Sequence, residues 1–292
     1  MKNKKAISIL VILIVVLALA ASFYGVFSTG GSGSYKIKSF YGETVSIYGK
    51  GLYRNDSVSV AAQGIAQDIV TIIVGVPLLV VSLYLSRKDL LKGRLLLAGT
   101  LGYFLYTYTS YCFVWMYNSL FLIYVILMSS SFFAFLLTMM SFDMESLKIS
   151  FNEKLPVRLL GSFFIFLGTA IGLMWLGRIV PSLINGSEPV GIEQYTTLPI
   201  QALDLGFIVP TAIISGVLTI KRETFGYLLS SVITVKCITM LTAITAMIIG
   251  QSLAGVKLSF AEIIIFPAAN LIVIYLLTLI IKNVKEPIYN MA

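Results

Sequence analysis

The sequence predicts an all-α integral membrane protein: a polytopic bundle of about eight transmembrane helices with a small extracytoplasmic loop or β-hairpin. Three observations carry this. Of the 292 residues, 58% are hydrophobic and only 12% charged, about half the charge of a soluble domain. Apolar runs recur along the whole chain, most of them near the roughly 20 residues a helix needs to cross a bilayer. The basic residues collect in alternate connections between those runs, the pattern that fixes orientation in a membrane.

The elements follow in order. Met1-Lys2-Asn3-Lys4-Lys5 precedes an apolar run from Ala6 to about Phe27, a basic start and apolar stretch that read as a signal sequence or signal anchor. Ala18-Leu19-Ala20 offers a small-x-small cleavage site, but the run continues to spanning length, so an uncleaved first helix over residues 1–27 is expected. Residues 28–60 form the longest polar stretch. Within it Tyr35 and Ile37 alternate with Lys36 and Lys38, and Val45 and Ile47 with Thr44 and Ser46, around Tyr41-Gly42-Glu43. That alternation suits a short hairpin, read first as a stiffened loop and second as a lid or docking element.

A seven-helix core is expected over residues 61–284, from runs at Ala62–Leu85, Leu95–Tyr117, Leu120–Phe142, Val157–Ile184, Leu203–Ile220, Phe225–Ile249 and Phe260–Ile281. Residues 285–292 form a tail. Arg87, Lys88, Lys92 and Arg94 fill one connection, Lys148, Lys154 and Arg158 another, Lys221 and Arg222 a third, and Lys282 and Lys285 the end. Basic residues mark the cytoplasmic side, so both termini are expected in the cytoplasm, at the plasma membrane. Gly161, Gly168 and Gly172 lie on one helical face, where backbones can approach closely.

Composition also excludes chemistry. There is no histidine, which removes His-ligated haem, most zinc sites and the Ser-His and Cys-His nucleophile pairs. No phosphate-binding glycine loop or dinucleotide fingerprint is present, and no cofactor is expected. The formal charge of +8 belongs to membrane orientation, so nucleic acid is not an expected partner. Cys112 and Cys237 lie in separate apolar runs, and no bridge between them is expected.

Ionisable residues inside spans are costly in lipid and point to function. Lys236 lies deepest, near the middle of its run, with Thr239 and Ala243 on its face. Asp68 lies about two turns inside its span, on a small polar stripe of Gly64, Asp68, Thr71 and Gly75 beside Gln67. Arg178, Asp204 and Glu262 sit near the outer ends of three other spans. The run from Leu95 is aromatic, and Tyr103 and Tyr106 lie deep enough for their hydroxyls to need partners. In three spans an acid precedes a proline: Asp68 and Pro77, Asp204 and Pro210, Glu262 and Pro267. Bent helices with acids at their outer ends would frame a cavity open to the outside.

The candidate solute- or ion-binding residues are therefore Asp68, Lys236, Tyr106, Arg178 and Asp204, with Asp68 expected to pair with Lys236. The expected function is binding or passage of a small solute, proton-linked, through an outward-facing polar cavity. The alternative is a non-enzymatic partner or sensor subunit that binds another membrane protein. A membrane enzyme ranks third, because the loops offer no catalytic cluster. The expected partners are the lipid bilayer and a small solute, or a membrane protein in the alternative.

Overall fold

In the computed structural model, residues 3–286 are described. Helix α1 is Lys4–Phe27 and is followed by strands β1, Tyr35–Lys38, and β2, Thr44–Ile47. Then come α2 (Val58–Arg87), α3 (Leu91–Phe113), α4 (Phe121–Met139), the short α5 (Met144–Ser150), α6 (Val157–Asn185), α7 (Pro199–Ile220), α8 (Thr224–Leu253) and α9 (Phe260–Asn283). Seven helices, α1, α2, α4, α6, α7, α8 and α9, are long and apolar enough to span a membrane. The chain is a polytopic all-α membrane protein.

The run expected at Leu95–Tyr117 forms α3, which has spanning length at 23 residues but lacks the apolarity of the others. Its position explains this: α3 packs against α2, α4 and α8, and Thr100, Tyr103, Thr107, Tyr108, Ser110 and Tyr111 are all buried. A helix wrapped by other helices meets side chains, not lipid, and can carry polar groups that find partners there. The helix ends at Phe113, so Trp115 and Tyr117 fall beyond it. Trp115 stacks on Tyr111, with ring centroids 4.5 Å apart. The sequence run at Leu203 begins one turn earlier in the structure, at Pro199.

The hairpin forms in the register Tyr35↔Ile47, Lys36↔Ser46, Ile37↔Val45 and Lys38↔Thr44. Val45 and Ile47 are buried while Phe40 at the tip is exposed, so only one face of β2 packs down. The loop behind it is held by Asp56. Its backbone carbonyl accepts from Tyr48 N, and its Oδ1 accepts from Met116 N at 2.9 Å and the Tyr195 hydroxyl at 3.0 Å. At the opposite end of the bundle, Lys285 N donates to Ser150 O and Asn152 N to Asn283 O. The Glu286 carboxylate accepts from Leu91 N and Lys92 N at the start of α3. Of the expected tail at 285–292, residues 287–292 lie outside the described residues.

The bundle repeats internally. Helix α2 contains a π-helical stretch at Thr71–Gly75 followed by α-helix Val76–Arg87, and α7 contains one at Asp204–Ile208 followed by Val209–Ile220. Both boundaries shift by 133 residues (209 − 76), as do the starts of α3 and α8 (224 − 91). At that same offset Val76-Pro77 matches Val209-Pro210, Ser82 matches Ser215, Lys88 matches Lys221, and Gly93 matches Gly226. Asp89 and Arg222, also 133 apart, both take left-handed backbone, with φ of 60° and 58°. Both glycines sit where a Cβ would collide with the end of the preceding helix.

The π-helical stretches have a local cause. A proline inside a helix lacks the N–H and crowds the carbonyl four residues back. Widening the turn before it moves that carbonyl aside, and Val76 N and Val209 N bond five residues back, to Thr71 O and Asp204 O. The helices flanking the repeat correspond in order and partner: α1 packs on α2, and α6 on α7. In the second case Gly161 lies against the Gly216 backbone and Gly168 near Val209 and Ala212, so the glycine stripe is a packing seam. Each set, α1–α4 and α6–α9, thus has four long helices.

Candidate functional site

Two polar clusters flank α3. The first surrounds Asp68, which the small residues of α1 and α2 allow into the interior. A Cβ added at Gly25 of α1 would overlap the Asp68 carboxylate, and one at Gly64 would press on Tyr53 and Trp115. Asp68 Oδ2 accepts from the Tyr53 hydroxyl at 2.5 Å and Oδ1 from the Tyr111 hydroxyl at 2.9 Å. One turn deeper, Gln67 Nε2 donates to the Tyr103 hydroxyl, which also lies 3.2 Å from Thr71 Oγ1. All of these side chains are buried. Ser22 Oγ, Tyr108 OH and Trp115 Nε1, around the same acid, are buried without a hydrogen-bond partner among the described residues.

The second cluster joins α3, α6, α7 and α8. Asp204 opens the π-helical stretch of α7; its Oδ1 accepts from the Tyr106 hydroxyl and its Oδ2 from Trp175 Nε1, each at 2.8 Å. Over the face of the same phenol, Lys236 Nζ stands 4.1 Å from the Tyr106 ring centroid. The Lys236 stem passes within ordinary contact distance of Gly102, and Gly99 leaves no room for a side chain against Val235. The four side chains are half-buried. A cation over a tyrosine face is worth about 0.5–2 kcal/mol, and Tyr106 meets the ammonium with its ring face and the carboxylate with its hydroxyl.

The expected pair of Asp68 with Lys236 is not what forms. The acid faces Tyr53 and Tyr111, the lysine faces Tyr106, and Tyr111 and Tyr106 leave α3 on different sides. The carboxylate nearest in chemistry to Lys236 is Asp204. Tyr106 and Asp204 are joined directly. Arg178, one turn from Trp175, turns outward and donates from Nε to Val190 O at 2.9 Å, holding the following loop. Glu262 forms a capping box with Ser259 at the start of α9 and belongs to neither cluster.

Two cavities stand away from the expected site. One of about 410 Å³ is lined by Met144, Leu218, Lys221, Glu223, Thr224 and Phe225, and one of about 30 Å³ lies between Asp89, Arg94, Phe142 and Ser150. Both lie at the basic-connection end, and neither reaches Asp68 or Lys236. Sequence reasoning missed Trp175, Tyr53 and Tyr111. The 133-residue repeat carried a usable signal, since it aligns Thr71 with Asp204 and Tyr103 with Lys236. No family model, no curated protein and no solved structure matches the chain.

Proposed function

We propose that this protein is a non-enzymatic, proton-linked carrier of a small solute, with Lys236, Asp204 and Tyr106 at the solute site and Asp68 as the coupling acid. The observation that carries the proposal is the matched pair of interrupted helices, α2 and α7, each with a π-helical turn before Val-Pro at corresponding positions of two four-helix sets. Carriers are commonly built from repeats whose interrupted helices meet at mid-membrane around the substrate. An even number of helices per set gives both sets the same orientation, the parallel form of that design. The costly ionisable side chains lie beside these interruptions: Asp68 three residues before the first, Asp204 opening the second. In this reading both termini and the basic connections face the cytoplasm, and the described form is the occluded one.

A second reading, a partner or sensor subunit, is favoured by one observation: the Asp204 carboxylate is already bonded on both oxygens. The discriminating experiment is solute-dependent proton entry into proteoliposomes containing a trapped pH dye. The carrier reading expects at least one solute class to drive entry, Lys236→Met to abolish it, and Asp68→Asn to stop proton entry while solute exchange continues. No entry with any solute, together with stoichiometric co-purification of one membrane protein, would replace the carrier by the partner subunit.

A further inference from the structure

We infer that the solute is a small zwitterion bearing a carboxylate and an ammonium group, an inference that rests on the carrier reading of the Lys236 site. The valences left open by the cluster define the ligand. The Lys236 ammonium has three donors, and it stands over the face of Tyr106. A ring face satisfies the charge and leaves the donors without acceptors. A carboxylate presented at that point would take up to three charge-assisted hydrogen bonds, which are about twice as strong as neutral ones.

Asp204 has the complementary vacancy. Tyr106 and Trp175 each donate to a different oxygen, the arrangement that an ionised carboxylate satisfies best because it offers only acceptors. Each oxygen keeps a further lone pair free for an ammonium, and the Trp175 and Tyr106 rings beside it are the surfaces that attract organic cations.

Charge balance separates a zwitterion from a simple anion or cation. Lys236 and Asp204 already cancel one another across one phenol ring. A lone anion or cation would leave one net charge in a half-buried, low-dielectric site, which is expensive. A zwitterion adds no net charge and pairs with both ends. On binding it would draw Lys236 off the Tyr106 ring, freeing that ring to move with the interrupted helix that Asp204 begins. The equivalent position in the first half has Thr71 facing Tyr103, so that position carries no charged pair to compete for the ligand.

Binding to the full-length protein in nanodiscs, measured by thermal shift and calorimetry, tests this with three probe sets of matched size. Glycine, β-alanine and glycine betaine are the zwitterions, acetate and propionate the anions, and ethylamine and tetramethylammonium the cations. The expected result is zwitterion binding at least tenfold tighter than either other set. Asp204→Asn should shift the preference to the anions and Lys236→Met to the cations. Tyr106→Phe, which keeps the ring and removes the hydroxyl bonded to Asp204, should weaken zwitterions about tenfold and leaves a test should either charge variant fail to fold. Anions bound as tightly as zwitterions, with no effect of Asp204→Asn, would overturn the zwitterion assignment and leave the carrier standing. No binding by any set would overturn it too, while the carrier reading is judged separately by proton entry.

Discussion

Tyr103 and Lys236 occupy the same place in the two halves of the molecule. Each lies 32 residues after the first residue of a π-helical stretch (103 − 71 and 236 − 204). Tyr103 meets that residue, Thr71, directly at 3.2 Å, whereas Lys236 meets its counterpart, Asp204, through Tyr106. One position thus carries a neutral hydrogen bond in the first half and a separated ion pair in the second.

The first prediction concerns that ion pair. Lys236→Met and Asp204→Asn each leave the other charge without its partner. Each should lower thermal stability in detergent, and the double variant should recover part of the loss, a coupling of about 0.5–3 kcal/mol. Asp68→Asn combined with Lys236→Met should instead be additive, because those side chains do not meet. Additivity in the Asp204 cycle, or coupling in the Asp68 cycle, would reverse the assignment.

The second concerns the tyrosine cage. Tyr111→Phe removes one of two phenols that donate to Asp68 and should cost about 1–3 kcal/mol, the usual penalty for a buried polar group left short of a partner. Gly25→Ala should cost a similar amount by overpacking, since its methyl would overlap the Asp68 carboxylate. Asp68→Ala should relieve most of the Gly25→Ala penalty. Unfolding midpoints by intrinsic fluorescence check all three, and an undisturbed Gly25→Ala midpoint would show that α1 does not sit against Asp68.

The loop behind the hairpin, residues 48–57, should be pH-sensitive in its docking. Burial raises the Asp56 carboxyl from 3.8 to about 7, against the lowering effect of hydrogen bonds from Met116 N and Tyr195. The group is protonated more readily in the docked loop than when released, so its contribution to docking is complete below about pH 4 and is lost as pH rises through about 7. Glu193 is shifted upward too, again by burial, and acts in the same direction. Hydrogen exchange over residues 48–57, corrected for intrinsic rates, should be slower at pH 5 than at pH 8. Asp56→Asn should remove most of that difference; an unchanged difference would assign the effect elsewhere.

Orientation follows from the basic connections. With Cys112 and Cys237 replaced by serine, cysteines at Lys92 and Lys154 should react with an impermeant maleimide only after the membrane is opened. One at Glu188, in the exposed loop after α6, should react in intact cells. The opposite pattern would invert the topology.

Much of the fold was legible because lipid imposes a simple rule: spans must be apolar and about 20 residues long. The same rule explains the weakest span. Helix α3 escapes lipid, so its tyrosines and threonines report helix neighbours that hydropathy cannot see. The hairpin was legible from the alternation around Gly42. The candidate site was legible residue by residue but not as a set of contacts. An acid before a proline groups unlike things: the intervals are nine residues for Asp68, six for Asp204 and five for Glu262, and Glu262 is a helix cap. Aligning the prolines instead pairs Asp204 with Thr71 and leaves Asp68 without a counterpart. How closely α1 seats against Asp68 depends on Gly25, whose role appears only once the helices are packed.

The bond from Leu91 N to Glu286 has a consequence for the order in which the protein matures. The first backbone N–H groups of α3 wait for a carboxylate 195 residues further along the chain. At roughly 5–20 residues per second, the ribosome supplies it roughly 10–40 s after Leu91 is made. Until then those N–H groups lack the partner that the folded chain gives them. The contact ties the end of the second half to the start of α3, so it can form only once every helix of the bundle has been made.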